Sequence, residues 1–178
     1  QVAGVDEADT VKTDGKYLYT IGNNSQIVYI IDANPQNAKI LSKIFLNNTY
    51  LSGVYLSQDG SRLAVLGNQY ITHSYYEKMP AIATDIAIYP YWNSGSTFIY
   101  VYDVSNKANP ILTRNFTMSG NYFNSRMINN YIYTIVSQNA YLVNDTLVLP
   151  TVFTGTSSST VEPSKIYYAN VPDSWYSY

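Results

Sequence analysis

The sequence predicts an all-β protein assembled from repeated, four-stranded antiparallel sheets. Its apolar segments are short, rich in β-branched and aromatic residues, and bounded by Gly, Asn, Asp or Pro, which is the pattern of strands. No window of helical length carries a 3.6-residue period with capping residues, although Ile82–Ile88 is long enough for a helical turn. The third observation is an internal repeat, and it predicts the architecture.

The repeat is centred on hairpin turns. An Asp-Gly turn that begins at Asp14 is followed 45 residues later by one that begins at Asp59, each between apolar runs. Asp-Gly favours a tight hairpin in which both central residues adopt positive φ. A third copy has Asn129 and Asn130 at these positions, and asparagine tolerates the same conformation. The strand that follows it, Tyr-Ile-Tyr-Thr-Ile, nearly repeats the Tyr-Leu-Tyr-Thr-Ile after the first turn.

Two further strands follow each complete hairpin. Residues 27–32 and 98–103 end in Asp32 and Asp103, and each leads through an Asn-Pro turn into another apolar segment. We expect both aspartates to accept backbone N–H bonds in those turns. Four antiparallel strands in about 45 residues are the unit of a β-propeller blade.

The chain divides into two blades and the start of a third. Blade 1 covers about residues 9–46, blade 2 about 53–118, and the start of blade 3 about 122–136. Insertions at 68–96 and 138–178 each follow the second strand of a blade, so both should emerge on one face. Because a closed propeller needs about four to eight blades, the sequence predicts the N-terminal portion of a larger propeller domain. Its expected partners are the remaining blades or neighbouring surface subunits.

The composition excludes several functional classes. Charged residues make up 12% of the chain against 46% hydrophobic residues, and the net charge of −2 argues against binding to a phosphate backbone. The chain has no cysteine and one histidine, His73, which excludes disulfides, thiol catalysis and His-rich metal sites. No apolar run is long enough to span a membrane. Twenty tyrosines and eighteen asparagines supply a neutral polar surface, typical of extracellular and cell-envelope proteins.

Several segments resemble a known family. Gly4–Tyr17 is similar to the opening of the C-terminal β-propeller domain of prokaryotic secreted proteins, although Thr10 stands where an aliphatic residue is expected. Residues 102–110, 125–127 and 162–168 resemble later signatures of that family, and 102–110 also resembles the LVIVD-type repeat of surface propellers. The resemblance spans nearly the whole chain. It implies a secreted or surface-anchored propeller, mostly archaeal or bacterial, without an established activity.

The densest group of charges is Asp6, Glu7 and Asp9. Under the blade assignment these carboxylates lie at the start of the innermost strand of blade 1, and such hard oxygen ligands are suited to Ca²⁺. The alternative is a structural role, in which they cap a turn and pair with Lys12 or Lys16. The letters Asp-Glu-Ala-Asp also occur in helicases, but the chain has no phosphate-binding loop.

Catalytic signatures are missing from the sequence. No two glycines are four residues apart, which excludes a G-x-S-x-G nucleophile turn, and His73 is more simply explained as structural or incidental. Glycoside hydrolysis needs two facing carboxylates, and the spacing of Glu7, Glu77, Glu162 and the nine aspartates does not pair them. We therefore assign no catalytic and no cofactor-binding residue.

Aromatic residues gather in the two insertions. Tyr and Trp side chains on exposed loops are suited to bind sugar rings or a protein partner. The alternative is that these long loops pack on themselves over the blade ends. The residues that we predict for a ligand or partner surface are Tyr75, Tyr76, Tyr91, Trp92, Trp175 and Tyr176.

Four Asn-x-Ser/Thr sequons become candidate N-glycosylation sites if the protein is secreted. Two of them lie in predicted turns and are the better candidates, Asn23 and Asn47. The other two are Asn115 and Asn144.

The residues favour a non-enzymatic, extracellular or cell-surface propeller that serves as a scaffold or binding module. One alternative is an extracellular hydrolase or oxidoreductase whose active site is completed by blades outside these residues. Another is a subunit of a surface lattice or filament, which the low charge and high Tyr and Asn content would suit.

Overall fold

A computed structural model describes residues 4–70, 95–140, 142–143 and 146–167. These residues form strands and one short 3-10 turn, Pro163–Lys165, so the predicted all-β fold class is confirmed. Among them, no helix is long and apolar enough to cross a membrane. In chain order the strands are β1 (Val5–Glu7), β2 (Val11–Thr13), β3 (Tyr17–Ile21), β4 (Ile27–Asp32), β5 (Lys39–Phe45), β6 (Thr49–Leu56), β7 (Arg62–Tyr70), β8 (Gly95–Asp103), β9 (Ile111–Ser119), β10 (Asn121–Ile128), β11 (Tyr131–Ser137), β12 (Leu142–Val143), β13 (Thr146–Leu147), β14 (Thr151–Thr154) and β15 (Ser157–Thr160).

Blade 1 is an antiparallel sheet in which β2, β3, β4 and β5 follow one another from inside to outside. Tyr19 on β3 lies opposite Ile30 on β4, and Val28 on β4 lies opposite Ile44 on β5. These β-branched and aromatic side chains suit a pleated surface, and all four are buried. The order of strands is the one that the repeat predicts for this part of the chain.

Blade 2 has six strands, in the order β15-β14-β9-β8-β7-β6. Its inner four are the predicted repeat unit. Its outer two come from the insertion at 138–178, where the sequence predicts only a loop. Val152 on β14 pairs with Met118 on β9, so the hairpin covers the edge that β9 would otherwise expose. The sequence did not reveal this pairing because the hairpin is short and rich in Ser and Thr.

The third sheet consists of β1, β10 and β11, in that order. β10 and β11 form the hairpin predicted for the start of blade 3, with Ile128 opposite Tyr131 beside the turn. The third strand, β1, comes from the N-terminus and pairs antiparallel with β10. A small additional pair joins β12 and β13.

Blade 2 is packed on both faces, as β7 shows. Leu63 and Val65 lie in the core shared with blade 1, which includes Tyr19. Ala64 and Leu66 point the other way, into the core shared with blade 3. These four residues of β7 are all buried, which explains why this part of the strand is a continuous apolar run without polar alternation.

The hairpin turns differ from the expected geometry. Gly15 and Gly60 have φ of 89° and 66°, but neither aspartate before them has positive φ, and of the two asparagines in the third turn only Asn129 does, at 54°. The expectation that both central residues adopt positive φ is therefore wrong. The aspartate side chains explain the difference, because Asp14 Oδ1 accepts the backbone N–H of Tyr17 at 2.8 Å and Asp59 Oδ1 that of Ser61 at 3.1 Å.

Asp32 and Asp103 end equivalent strands of blades 1 and 2. The Oδ1 of Asp32 accepts the backbone N–H of Asn34 at 3.2 Å, and the Oδ1 of Asp103 accepts that of Ser105 at 2.9 Å. The predicted turn-capping role of both aspartates is confirmed.

Stability should fall at acidic pH because the turn aspartates are held ionised. Hydrogen bonds from the Ser57 hydroxyl and from Ser61 lower the pKa of Asp59 from 3.8 to about 2. Burial raises the pKa of Asp14, but its bonds from Tyr17, Lys16 and Tyr19 outweigh burial, and the net pKa is lowered. Groups with a depressed folded-state pKa stabilise the protein above their unfolded pKa, and this contribution is lost as the pH falls through the folded value.

We expect the urea midpoint of unfolding to be constant near pH 6 and to decline between about pH 4 and pH 2. Asp59→Asn should reduce the slope of that decline, because it removes one of the titrating groups but keeps an acceptor oxygen in the turn. A wild-type midpoint that does not change from pH 6 to pH 2 would contradict this prediction.

One lysine joins the turns of blades 1 and 2. Lys107, in the loop between β8 and β9, donates from Nζ to the carbonyl oxygen of Gly60 at 2.6 Å. The same Nζ lies 3.9 Å from Asp14 Oδ2 and 5.5 Å from the ring centroids of both Tyr17 and Tyr19. Its backbone carbonyl accepts the hydroxyl of Ser42 on β5. Nothing in the sequence pattern singles Lys107 out.

Candidate functional site

The N-terminal segment runs along the inner strands of all three blades. Glu7 on β1 pairs with Arg126 on β10. Two residues later, Asp9 exchanges backbone hydrogen bonds with Val54 of β6, at 2.9 and 3.5 Å. The chain then enters β2 of blade 1. The acidic segment was expected at the start of the innermost strand of blade 1, and the structure instead places Asp6 and Glu7 on the sheet of blade 3.

This route requires close approach of the backbones. A Cβ on Gly53 of β6 would lie only 2.7 Å from the Cβ of Ala8, so glycine is the residue that leaves room for the crossing segment. The acidic motif alone does not indicate that this segment reaches blade 3, because the partner strand of β1, β10, is more than a hundred residues away along the chain.

Each of the three acidic side chains in the segment is paired with a cation. Lys12 Nζ lies 2.7 Å from Asp6 Oδ1 and 3.0 Å from Asp9 Oδ2. Burial lowers the pKa of Lys12, but its hydrogen bonds with the two carboxylates outweigh burial and raise the pKa overall. Glu7 pairs with Arg126 at 3.1 Å. The pairing with Lys12 that the sequence offered as an alternative is therefore present.

The calcium hypothesis for Asp6, Glu7 and Asp9 stays a prediction. Within the described ranges, no group of three or more His, Cys, Asp or Glu side chains is positioned to hold a metal ion. A divalent cation bound by Asp6 and Asp9 would have to replace the ammonium group of Lys12, which already lies between them.

A hydroxyl network lies next to these ion pairs. Ser125 Oγ is 2.9 Å from the hydroxyl of Tyr55 on β6 and 2.9 Å from that of Tyr122 on β10. Lys12 Nζ lies 5.9 Å from the centroid of the Tyr55 ring. Burial raises the pKa of Tyr55, so its hydroxyl stays neutral and available as a donor. Ser125 is thus flanked by two phenols rather than by a general base, which suits a contact between blades and not a nucleophile.

The structure brings the starting points of the two insertions together. Tyr70, the last residue of β7, pairs with Gly95, the first of β8, so both ends of the first insertion lie at one end of blade 2. The N–H of Gly120 donates to the Gly95 carbonyl at 3.1 Å. A Cβ on Gly120 would lie 3.1 Å from the Cβ of Gln138, where the second insertion begins. The expectation that both insertions emerge on one face is supported at their bases.

The residues predicted for the ligand surface are not among those that the structure describes. Tyr75, Tyr76, Tyr91, Trp92, Trp175 and Tyr176 all lie outside the described residues, as do His73 and Glu77. The described residues at the base of the insertions include Gln138, which is buried and whose side-chain oxygen has no hydrogen-bond partner. Tyr70 is an exposed aromatic residue at the same place.

Three of the four sequons fall on described residues. Asn23 and Asn47 lie in exposed turns, as predicted, and Asn115 is exposed on β9. Asn144 lies outside the described residues. The structure thus leaves Asn23, Asn47 and Asn115 accessible, and their glycosylation stays a prediction.

A cleft of about 990 Å³ separates blade 2 from the start of blade 3. Its walls are mainly apolar and include Ile99, Phe116 and Met118 of blade 2 and Ile132 of β11. Arg62 and Arg114 also line the cleft. Among the described residues, β11 has no strand on its outer side, whereas blade 2 continues beyond the equivalent strand β7 through β8, β9, β14 and β15.

Comparison with known proteins supports the architecture. A family model described as "Beta propeller domain" matches residues 1–177. No curated protein and no solved structure matches the chain. The match covers nearly the whole chain and agrees with the successive antiparallel sheets, so the chain belongs to the β-propeller domain family.

Proposed function

We propose that the protein is a secreted or cell-surface β-propeller of a prokaryote that acts as a scaffold or binding module, without catalysis in this segment. The family match supports a scaffold or binding module in general terms. The low charge, the many tyrosines and asparagines, and the resemblance of Gly4–Tyr17 to secreted propellers support the location.

The observation that carries the non-catalytic part of the proposal is the use of the polar groups near the inner strands. Lys12 is engaged by two carboxylates, and Ser125 by two tyrosine hydroxyls. The contacts of Lys12 involve the crossing segment, and the contact of Ser125 with Tyr55 joins blade 3 to blade 2, whereas Tyr122 lies on β10 together with Ser125. Groups that are paired in this way help to hold the segment and the blades in place, and the described side chains that contact Ser125 Oγ are phenols and not a general base.

The first proposed partner of these residues is a further blade of the same propeller, packed on blade 3. Tyr17–Ile21 on β3 and Tyr131–Ile135 on β11 are equivalent strands with nearly identical sequences. Tyr19 points toward the next blade and is 0% exposed, whereas its equivalent Tyr133 is 58% exposed. Ile135 and Phe123 are exposed as well. A fourth blade packed on blade 3 would bury these side chains as blade 2 buries Tyr19.

The insertion face is the proposed surface for a glycan or protein ligand. Support comes from the shared base of the two insertions and from their aromatic content. The first insertion is the better target for mutation, because both of its ends are fixed by the pairing of Tyr70 with Gly95.

We expect the triple variant Tyr75→Ser, Tyr91→Ser and Trp92→Ser to lose at least about tenfold in affinity for cell-surface polysaccharide or its protein partner. Its melting temperature should stay close to that of the wild type. The matched control is Ile40→Ser with Ile111→Ser, which removes exposed apolar side chains at the opposite end of blades 1 and 2, near the starts of β5 and β9. Binding is measured by glycan array and by pull-down with the native protein. Equal loss in both variants, or loss in neither, would contradict the proposal.

A further inference from the structure

The outermost strand of blade 2 offers an unprotected sheet edge. No described strand pairs with the outer side of β15. Its register against β14 is regular from Thr160 opposite Thr151 to Ser157 opposite Thr154. All four residues of β15 are exposed. A free edge of this kind presents unpaired backbone N–H and C=O groups that can accept another strand.

Protein sheets usually protect such edges, and blade 1 shows how. Its outer strand, β5, carries Lys39 and Lys43, and the ladder that joins it to β4 is interrupted by a bulge between Ile30 and Ile31. Charges and bulges of this type prevent edge-to-edge pairing. By contrast, residues 146–161 contain no charged side chain, and β15 has neither proline nor bulge.

Closure of the propeller does not cover this edge. Blades pack face to face around the axis, so their outermost strands stay on the perimeter of the ring. The hairpin β14–β15 moves this perimeter outward by two strands on blade 2 only, as far as the described residues show. Ring closure by further blades therefore leaves the outer side of β15 on the perimeter, where no described strand covers it.

We propose that β15 is a self-association surface, at which it pairs antiparallel with β15 of a second copy of the protein across a two-fold axis. The surface is complementary to itself, since it offers Ser and Thr hydroxyls, which pair favourably across strands, and no charge that would repel its copy. The net charge of −2 adds little repulsion between copies. Two six-stranded sheets then become one continuous sheet.

A contact of four residues per copy is small, so the association should be weak and concentration-dependent. We expect sedimentation velocity of the full-length native protein to show a weight-average sedimentation coefficient that rises between micromolar and submillimolar concentration. Ser157→Lys with Ser159→Lys should abolish this rise, and Ser158→Glu with Thr160→Glu, on the other face of the strand, should do the same. Gln36→Lys with Asn37→Lys is the charge-matched control in an exposed turn of blade 1 and should behave as the wild type.

Thermal melting of each variant establishes that it is folded before sedimentation is compared. A wild type that stays monomeric over the whole range overturns the proposal, as does association that persists in both edge variants. Sugars found by peptide mass spectrometry on Ser157–Thr160 of the native protein also overturn it, because O-linked glycans would block the edge.

Discussion

Replacement of Lys107 by methionine is expected to lower the free energy of unfolding by roughly 3 kcal/mol, since a charge-assisted hydrogen bond contributes about 1.5–3 kcal/mol and a cation over an aromatic ring about 0.5–2 kcal/mol. Methionine keeps most of the length and the apolar stem of lysine, so the change removes mainly the ammonium group. The carbonyl of Gly60 would lose its donor at 2.6 Å, and the rings of Tyr17 and Tyr19 would lose the cation beside them.

The size of this effect follows from burial. The side chain of Lys107 is 14% exposed, so water does not readily replace the lost partner of the Gly60 carbonyl. The contact with Asp14 Oδ2, at 3.9 Å, is the weakest of the set and adds little. The stabilisation therefore comes mainly from the bond to the carbonyl and from the two rings, and the loss should be felt at the junction of blades 1 and 2.

Urea unfolding followed by tyrosine fluorescence and circular dichroism measures the effect. Lys165→Met is the control, because that side chain is 71% exposed and its ion pair within the described residues is with Glu162, at 3.6 Å. It should change stability by less than about 0.5 kcal/mol. If Lys107→Met is as mild as the control, the lysine does not hold the two blades together.

Local features of the fold could be predicted from the sequence, because they depend on neighbours along the chain. The alternation of Tyr-Leu-Tyr-Thr-Ile and the turn beginning at Asp14 are sufficient to predict the hairpin β2–β3. Because the turn recurs at Asp59, the position of the hairpin β6–β7 follows too. Even the faces can be assigned, since Tyr19 and Ala64 occupy equivalent positions, and each lies in the core shared with the following blade.

Long-range pairings could not be predicted in this way. β1 pairs with β10, and β14 pairs with β9, and neither pairing follows from a sequence period. In both cases the added strand forms hydrogen bonds with a strand edge that the repeat leaves unpaired. Such an unpaired edge is a property of the assembled sheets and cannot be recognised in a single segment of sequence. The same holds for the ion pair of Glu7, because Glu7 and Arg126 come close only after β1 lies on β10.

Gly67→Ala should be among the most damaging small substitutions in the described strands, with an expected cost of about 3 kcal/mol or more. A Cβ at this position would overlap the backbone carbonyl oxygen of Tyr50 and would lie 3.0 Å from the Cα of Leu51 and from the amide nitrogen of Ser52. All three atoms belong to the backbone of β6 at the bulge between Leu51 and Gly53, so none can be avoided by a change of rotamer.

Blade 1 supplies a matched control at the equivalent position of the repeat. A Cβ on Gly22 would also be too close to another atom, at 2.7 Å, but that atom is Cε2 of the Tyr29 ring, at the end of a side chain that can turn away. We expect Gly22→Ala to cost about 1 kcal/mol or less, because only a rotamer has to change. Comparison of the two variants by urea unfolding isolates the contribution of the bulge.

The greater cost expected for Gly67→Ala than for Gly22→Ala comes from the bulge in β6 and not from the loss of glycine itself. β6 lies between the cores that blade 2 shares with blades 1 and 3, with Val54 in one core and Tyr55 in the other, so it cannot shift to accept a methyl group without opening one of them. We therefore expect Gly67→Ala also to speed proteolysis of the native protein near the start of β6, at the bulge. Equal stability of the two alanine variants would show that β6 yields at the bulge and that the central blade is not rigid there.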